Sequence, residues 1–269
     1  MIKLAISPCP NDTFIFDPIL HGRIDLEGLR FECAFHDVET LNSMALAGDA
    51  DMIKVSFFTY LLVHRNFALL DSGSAMGFGN GPLLISRKEY TMDDLPSLRV
   101  ALPGRYTTAN MLFSIAAPGV GEKVYMVFSD IEQAILDGRA DAGVIIHENR
   151  FTYEQKGLRK IMDLGARWEQ MTGSPVPLGG ILSRRGLGYN MINKLNRIMY
   201  RSVEFAMKNP EVPMPFVRLH AQEMDEEVMR MHIGLYVNEN TLSMGTGGKV
   251  AIQKLHDLAR DKGLLSPSL

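Results

Sequence analysis

A chain of 269 residues, 46% hydrophobic and 22% charged, has the composition of a globular protein with one large domain or two of ordinary size. Its formal net charge of −3, without basic runs, excludes the electrostatic footprint of a nucleic-acid-binding or membrane-surface protein. Its two cysteines, Cys9 and Cys33, are too few for a disulfide framework and lack the spacing of a structural zinc site.

The N-terminal segment predicts a cytoplasmic protein. Its apolar run, residues 1–7, is too short for a signal-peptide core, and prolines follow it where a small-residue cleavage site would stand. No uninterrupted apolar stretch approaches the roughly 20 residues that span a bilayer. We therefore expect no membrane insertion.

Short apolar strands alternate with helices in the first part of the chain. Strands are predicted over residues 3–7, 30–35 and 52–56, and helices over 14–21, 38–47 and 57–64. This order predicts a parallel sheet covered by helices on both faces. A loop rich in glycine, serine and asparagine is predicted over 73–82, and a strand over 83–86.

The same alternation begins again after a polar connection. Strands at 99–102, 123–127 and 142–146 alternate with helices at 108–115 and 131–136, a strand at 178–183 returns the chain to the first part, and helices follow at 191–208, 225–236 and 249–262. Methionine and aromatic residues of these last helices are interpreted as packing. Two starts of one pattern predict a larger discontinuous lobe, residues 1–87 and 183–269, and a smaller inserted lobe, 88–182, with a substrate cleft between them.

An internal echo links the two predicted lobes. Residues 47–56 and 137–146 each contain a helix end, a glycine suited to a left-handed C-cap, and an Ala-Asp pair before an apolar strand. Ser56 ends the first strand and His147 follows the second. Because ligands gather at the carboxyl ends of strands in open α/β sheets, both are candidate site residues. Alternatively, the repeated segment is an ordinary turn between a helix and a strand and has no functional role.

Two loops follow the first strand of each lobe, at residues 7–13 and 103–108. Both are rich in turn-forming residues. The predicted helix caps in them are Asp12 or Thr13, and Thr107 or Thr108. A helix N-terminus can hold a carboxylate without a metal, although simple capping explains the same residues without a ligand.

His147 is the candidate for chemistry, since it lies between an apolar strand and the polar Glu148 and Arg150. At the mouth of a sheet, a neutral histidine can accept a proton near pH 7. Cys9 is interpreted as structural because no base is in evidence to activate its thiol. The glycine run 77–81 does not open a helix as a dinucleotide site must. The other histidines are interpreted as structural or exposed, without a cluster of partners: His21, His36, His64, His220, His232 and His256.

Four segments together closely resemble the 1,4-dihydroxy-6-naphthoate synthase family of the futalosine route to menaquinone. They are residues 7–16, 37–42, 103–109 and 145–153, and the likeness continues at 163–165 and 177–179. The resemblance implies an α/β fold of the two-lobed, type II periplasmic-binding-protein-like kind, each lobe a mixed, mostly parallel sheet flanked by helices, without cofactor or metal. It implies a lyase that splits cyclic de-hypoxanthinylfutalosine, a small-molecule carboxylate, into the naphthoate and dihydroxyacetone.

The resemblance also assigns roles to residues. The family's histidine base falls on His147. Its substrate contacts fall on Lys54, Val55 and Ser56, and on Thr107 and Thr108. Position in the two loops adds Asn11, Asp12 and Arg105.

Two other functions stay open. A solute-binding protein or ligand-sensing domain would share this architecture, and fold alone does not choose between them. A periplasmic receptor would need an export signal and a regulator would need a helix-turn-helix segment, and the sequence predicts neither. A chorismate dehydratase of the same pathway is the second alternative; it would share the fold but not the Ser-Pro-Cys-Pro-Asn-Asp opening.

Overall fold

The computed structural model describes residues 1–221 and 225–265. Residues 222–224 and 266–269 of the predicted larger lobe lie outside this described part. Within it the strands are β1 (Ile2–Ile6), β2 (Phe31–Phe35), β3 (Met52–Ser56), β4 (Phe67–Leu69), β5 (Ala75–Gly77), β6 (Leu83–Ser86), β7 (Arg99–Leu102), β8 (Glu122–Tyr125), β9 (Ala142–Ile145), β10 (Arg159–Asp163) and β11 (Val176–Arg184). The helices are α1 (Pro10–Leu20), α2 (Val38–Ala47), α3 (Phe57–Val63), α4 (Thr108–Ala116), α5 (Ile131–Leu136), α6 (Asn149–Thr152), α7 (Leu164–Thr172), α8 (Tyr189–Lys208), α9 (Met214–His220), α10 (Glu226–Tyr236), α11 (Glu239–Leu242) and α12 (Gly245–Asp261).

The strands form two mixed sheets. In the first sheet the order is β2-β1-β3-β11-β4, with β5 also paired to β11. In the second sheet it is β10-β6-β9-β7-β8. The pairs β1–β2, β1–β3, β7–β8 and β7–β9 are parallel, which confirms the predicted βαβ units. Antiparallel strands complete each sheet, because β11 runs against β3 and β6 runs against β9.

Strand membership differs from the predicted lobe boundaries at two places. The boundary at residue 87 assigns residues 83–86 to the larger lobe, whereas β6 pairs with β9 and β10 in the second sheet. The boundary at 182 divides β11, all of which belongs to the first sheet. Apolar periodicity identifies a buried strand but not its partner, which explains both differences. The return of the chain at 178–183 is confirmed, and the lobes themselves stay a prediction.

Helices cover both faces of each sheet. The first sheet packs on one face against α1 and α8, through Phe16 and Met199, and on the other against α2, through Leu41. The second sheet lies between α5 and a core that includes Phe113 of α4. That core also contains Leu255 of α12 and residues of α3, β5 and β11, so it joins the two sheets. The sequence does not predict β4, β10, α7 or α9, and β5 lies within the predicted loop 73–82.

The repeated Ala-Asp turn has the same geometry in both sheets, as predicted. Its glycine has φ of 78° in one copy and 74° in the other. The Asp51 N–H donates to Lys3 O at 3.0 Å, and its carboxylate accepts the Lys3 N–H at 3.0 Å. Asp141 makes the same pair of bonds to Arg99, both at 2.9 Å. Each aspartate thus fixes the register of two neighbouring parallel strands at their entry.

Gly81 and Gly165 allow the loop before β6 to cross the start of α7. A Cβ on Gly81 would lie 2.3 Å from Gly165 Cα and 2.6 Å from Gly165 N. Because both contacts are to backbone, which cannot rotate away, we expect Gly81→Ala to lower the free energy of unfolding by about 3 kcal/mol in urea denaturation. The exposed Gly119, which has open space around it, supplies the control. Gly119→Ala should change stability by less than about 0.5 kcal/mol, and equal stabilities of the two variants would refute this account.

Candidate active site

A cleft of about 700 Å³, its open mouth included, lies where the two sheets meet. Its walls come from the loop after β1, the end of β3, the start of α4 and the turn after β9, which are the carboxyl ends of parallel strands. The predicted site residues that line it are Asn11, Asp12, Lys54, Val55, Ser56, Thr107, Thr108 and His147.

Arg105 does not line the cleft. Its side chain is exposed, with the guanidinium 5.3 Å from the centre of the Tyr125 ring. The loop after β7 presents its backbone to the first sheet, and the Arg105 side chain extends away from it. The assignment of Arg105 to substrate binding, made from its position alone, stays a prediction.

Glu39 of α2 joins the two sides of the cleft. Its carboxylate accepts the backbone N–H of Arg105 at 2.6 Å and of Tyr106 at 3.1 Å, both in the loop after β7. It also accepts Asn42 Nδ2 at 3.2 Å, and the Asn42 side chain bonds in turn to the hydroxyl and the N–H of Ser56. Burial raises the pKa of the Glu39 carboxyl, and the donors around it offset part of that rise. The segment 37–42 thus connects the second sheet to the cleft wall at Ser56.

The start of α4 forms the wall on the side of the second sheet. Thr107 is its N-cap, as predicted, and accepts the Asn110 N–H at 3.2 Å. Thr108 Oγ1 donates to Leu178 O at 2.7 Å and accepts the Phe58 N–H at 3.3 Å. Both hydroxyls are thus engaged within the protein. What this wall offers to a carboxylate is the partial positive charge and the backbone N–H groups of a helix start.

The helix on the opposite wall begins earlier than predicted. Cys9 is the N-cap of α1 and Pro10 its first residue, so the predicted caps Asp12 and Thr13 lie inside the first turn. Proline is favoured there because it has no N–H to leave unpaired. Thr13 donates to Cys9 O at 3.1 Å. The Asp12 carboxylate, which is not used as a cap, is directed to the cleft.

Asp12 and Lys54 form a buried ion pair in that cleft. Their side chains are 2% and 9% exposed. The same carboxylate accepts the Ser7 hydroxyl at 2.6 Å and Asn11 Nδ2 at 2.9 Å. Removing two charges from water costs several kcal/mol per ion, and additional hydrogen bonds of this kind offset that cost. The pair connects the first turn of α1 with β3.

Cys9 has the properties of a structural residue. Its side chain is buried, and burial raises the pKa of the thiol far above its ordinary value; the negative charge of Glu148 raises it further. The thiolate is the nucleophilic form of cysteine, and a thiol held protonated is inert. This supports the interpretation made from the sequence.

His147 stands in a strained turn directly after β9. Its φ is 59°, in the left-handed region that histidine tolerates better than most side chains. Its ring contacts that of Phe128, with centroids 4.8 Å apart. Burial lowers the pKa of His147 from 6.5 to about 4; Asp12 opposes this shift and Lys54 adds to it. A lowered pKa favours the neutral imidazole, which is the form that accepts a proton, at neutral pH.

His232 is not the isolated histidine that the sequence predicts. It is fully buried on α10, and its ring is 6° from parallel to that of His147, with centroids 5.9 Å apart. Its Nε2 lies 2.9 Å from Asn11 Oδ1, and its Nδ1 lies 3.6 Å from Glu148 Oε2. Tyr236, four residues later on the same helix, lines the cleft. The spacing of these two polar aromatic residues on one helix face was the available signal.

Metal-binding groups and membrane-spanning helices are both absent from residues 1–221 and 225–265. No group of three or more His, Cys, Asp or Glu side chains there could hold a metal ion. No helix in this part of the chain is long and apolar enough to cross a membrane. The predicted absence of a metal or cofactor stays a prediction.

The comparisons with known proteins agree with the resemblance. A family model described as menaquinone biosynthesis matches residues 2–261. Two relatives, from Thermus thermophilus and Streptomyces coelicolor, are both named 1,4-dihydroxy-6-naphthoate synthase. The first is 43% identical over 267 residues, covering 99% of this chain and 97% of the relative. The second is 44% identical over 269 residues, covering 98% and 94%.

Solved structures show the fold. A crystal structure of a protein from Archaeoglobus fulgidus matches with a TM-score of 0.93 at 34% identity, covering 98% of each chain. A Candida albicans protein, described as having the generic periplasmic binding protein fold, matches with a TM-score of 0.72 at 12% identity, covering 99% of this chain and 91% of that one. The predicted periplasmic-binding-protein-like α/β fold is confirmed. By its sequence over nearly its whole length, the chain belongs to the menaquinone biosynthesis family.

Proposed function

We propose that this chain is a carbon–carbon lyase that converts cyclic de-hypoxanthinylfutalosine to 1,4-dihydroxy-6-naphthoate and dihydroxyacetone, with His147 as the base. The observation that carries the proposal is an imidazole, favoured in its neutral form, that lines the same cleft as a helix start suited to a carboxylate. The names of the two relatives support the substrate and product.

Binding in this proposal uses the two walls together. The substrate carboxylate lies at the start of α4, near Thr107 and Thr108, with the Ser56 hydroxyl as a further contact. Asn42 Nδ2 donates a hydrogen bond of 3.2 Å to that hydroxyl. Lys54 and Asp12 lie on the opposite wall and offer polar contacts to the remainder of the ligand. Two walls fixed by buried contacts hold the ligand beside His147, which lowers the entropic part of the barrier.

The chemical step in this proposal is one proton transfer followed by bond cleavage. His147 removes a proton from the bound cyclic substrate, the electrons left behind break the carbon–carbon bond, and the second ring becomes aromatic. Aromatisation supplies much of the driving force for the overall reaction. The protonated imidazole formed in this step can return its proton to the departing three-carbon fragment.

The proposal is tested by incubating the purified protein with cyclic de-hypoxanthinylfutalosine and following the naphthoate by absorbance and mass. We expect equimolar naphthoate and dihydroxyacetone. Binding of the substrate without turnover would favour a solute-binding protein, whose fold this chain shares. Turnover of chorismate in a parallel reaction, with the futalosine derivative left intact, would favour the dehydratase.

A further inference from the structure

We propose that His232 is a positioning residue for His147: it holds the catalytic imidazole in place and ties it to the polar network of the opposite wall. The catalytic meaning of this inference rests on the proposed function, whereas its structural part can be tested without turnover. His232 does not line the cleft, so it acts through its neighbours.

The rings of His147 and His232 are stacked. His147 sits on a turn with φ of 59°, which is held in place only by its surroundings. Its ring contacts Phe128 and lies nearly parallel to His232. The His232 ring packs in turn against Tyr236, with centroids 4.6 Å apart. α10 thus supplies a flat, buried support for an imidazole whose own backbone is strained.

A chain of polar contacts connects His232 with Lys54. Asn11 Nδ2 donates to Asp12 Oδ1 at 2.9 Å, so the amide oxygen of Asn11 is its acceptor end. His232 Nε2 lies 2.9 Å from that oxygen and therefore carries the proton of this bond. Through Asn11 and Asp12 the chain reaches Lys54. A displacement of His232 would thus disturb both His147 and the buried ion pair.

The environment of His232 favours its neutral form. The titratable groups that face His232 are His147 and Glu148 on the turn after β9, Lys54 on β3, and Tyr236 on its own helix. Burial, together with His147 and Lys54, lowers the pKa of His232 well below 6.5. A neutral His232 does not oppose the positive charge that His147 acquires when it accepts a proton. A cationic side chain at position 232 would oppose that charge.

Two substitutions separate the roles of His232. His232→Phe keeps a flat ring and removes the donor to Asn11, whereas His232→Gln keeps an N–H donor and removes the ring. If positioning is lost, we expect kcat to fall on the order of 10²-fold in His232→Phe with KM changed by less than about threefold. His232→Gln should recover part of that loss. The control is His256→Gln on α12, half-buried and remote from the cleft, with unchanged kcat.

A readout without turnover uses the titration of His147 itself. Its imidazole resonances are assigned in ¹H–¹⁵N spectra by their loss in His147→Asn. We expect His232→Phe to move the pKa of His147 by about half a unit or more, because the network around it is rearranged. The His256→Gln control should leave it in place.

Either of two results would overturn the inference. One is a kcat within about threefold of the parent in both His232→Phe, which removes the donor, and His232→Gln, which removes the ring. The other is an activity loss that matches the loss of folded protein in thermal denaturation while the His147 titration is unchanged, which would make His232 a packing residue. If the parent protein itself fails to turn over the substrate, the proposed function fails, and the titration still decides the positioning role.

Discussion

His147→Asn should lower kcat by about 10²–10⁴-fold, the usual contribution of a general base. Asparagine is chosen because, like histidine, it tolerates the left-handed backbone at this position, where φ is 59°. The fold should therefore survive, and the variant should still bind the naphthoate product with nearly the parent affinity in calorimetry. His64→Asn, remote from the cleft, is the matched control. Parent-like activity of His147→Asn would assign the base to another residue.

The pH profile of kcat/KM should report the titration of His147. The base must be neutral to accept a proton, and burial lowers its pKa to about 4. Activity is therefore expected to be flat at neutral and mildly acidic pH and to fall only as pH drops toward 4. His147→Asn should lack this acidic limb. A limb centred at 6.5 in the parent would show that a different group, or a His147 exposed to water, controls the rate.

Lys54→Met should lower the free energy of unfolding by about 3–5 kcal/mol, because it leaves the buried Asp12 carboxylate without its partner. The double variant Asp12→Asn/Lys54→Met removes both charges and should recover most of that stability in urea denaturation. It should not recover turnover, since both groups line the cleft.

An exposed ion pair supplies the control for this cycle. Glu226→Gln breaks the pairs with Arg218 and Arg230 and should cost less than about 1 kcal/mol. If Lys54→Met is as stable as Glu226→Gln, the Asp12 carboxylate must be neutralised without Lys54, and the predicted loss of stability is wrong.

Much of the site could be predicted from the sequence because parallel strands end at a common edge. Ser56 and His147 followed from the ends of two apolar strands and the repeated Ala-Asp turn. Both were found on the cleft wall. The two loops were predicted for the same reason. This logic works because each piece is local: a strand, a glycine and the residues directly after them.

What could not be predicted depends on contacts between distant parts of the chain. His232 lies 85 residues after His147 in the sequence, on a helix whose pattern indicates only packing. The partners of β6 and β11 are likewise set by non-local pairing. The depressed pKa of His147 follows from burial by several segments at once, which no local pattern reports.

Glu39 links α2 to the loop after β7 through the backbone of that loop. Any motion that separates the two must break the bonds to the Arg105 and Tyr106 N–H groups, and a hydrogen bond to a charged group contributes about 1.5–3 kcal/mol. Because the donors are backbone N–H groups, a substitution at 105 or 106 keeps both donors unless it introduces proline, which has no N–H. The contact is thus less sensitive to sequence drift in the loop than a contact between two side chains would be.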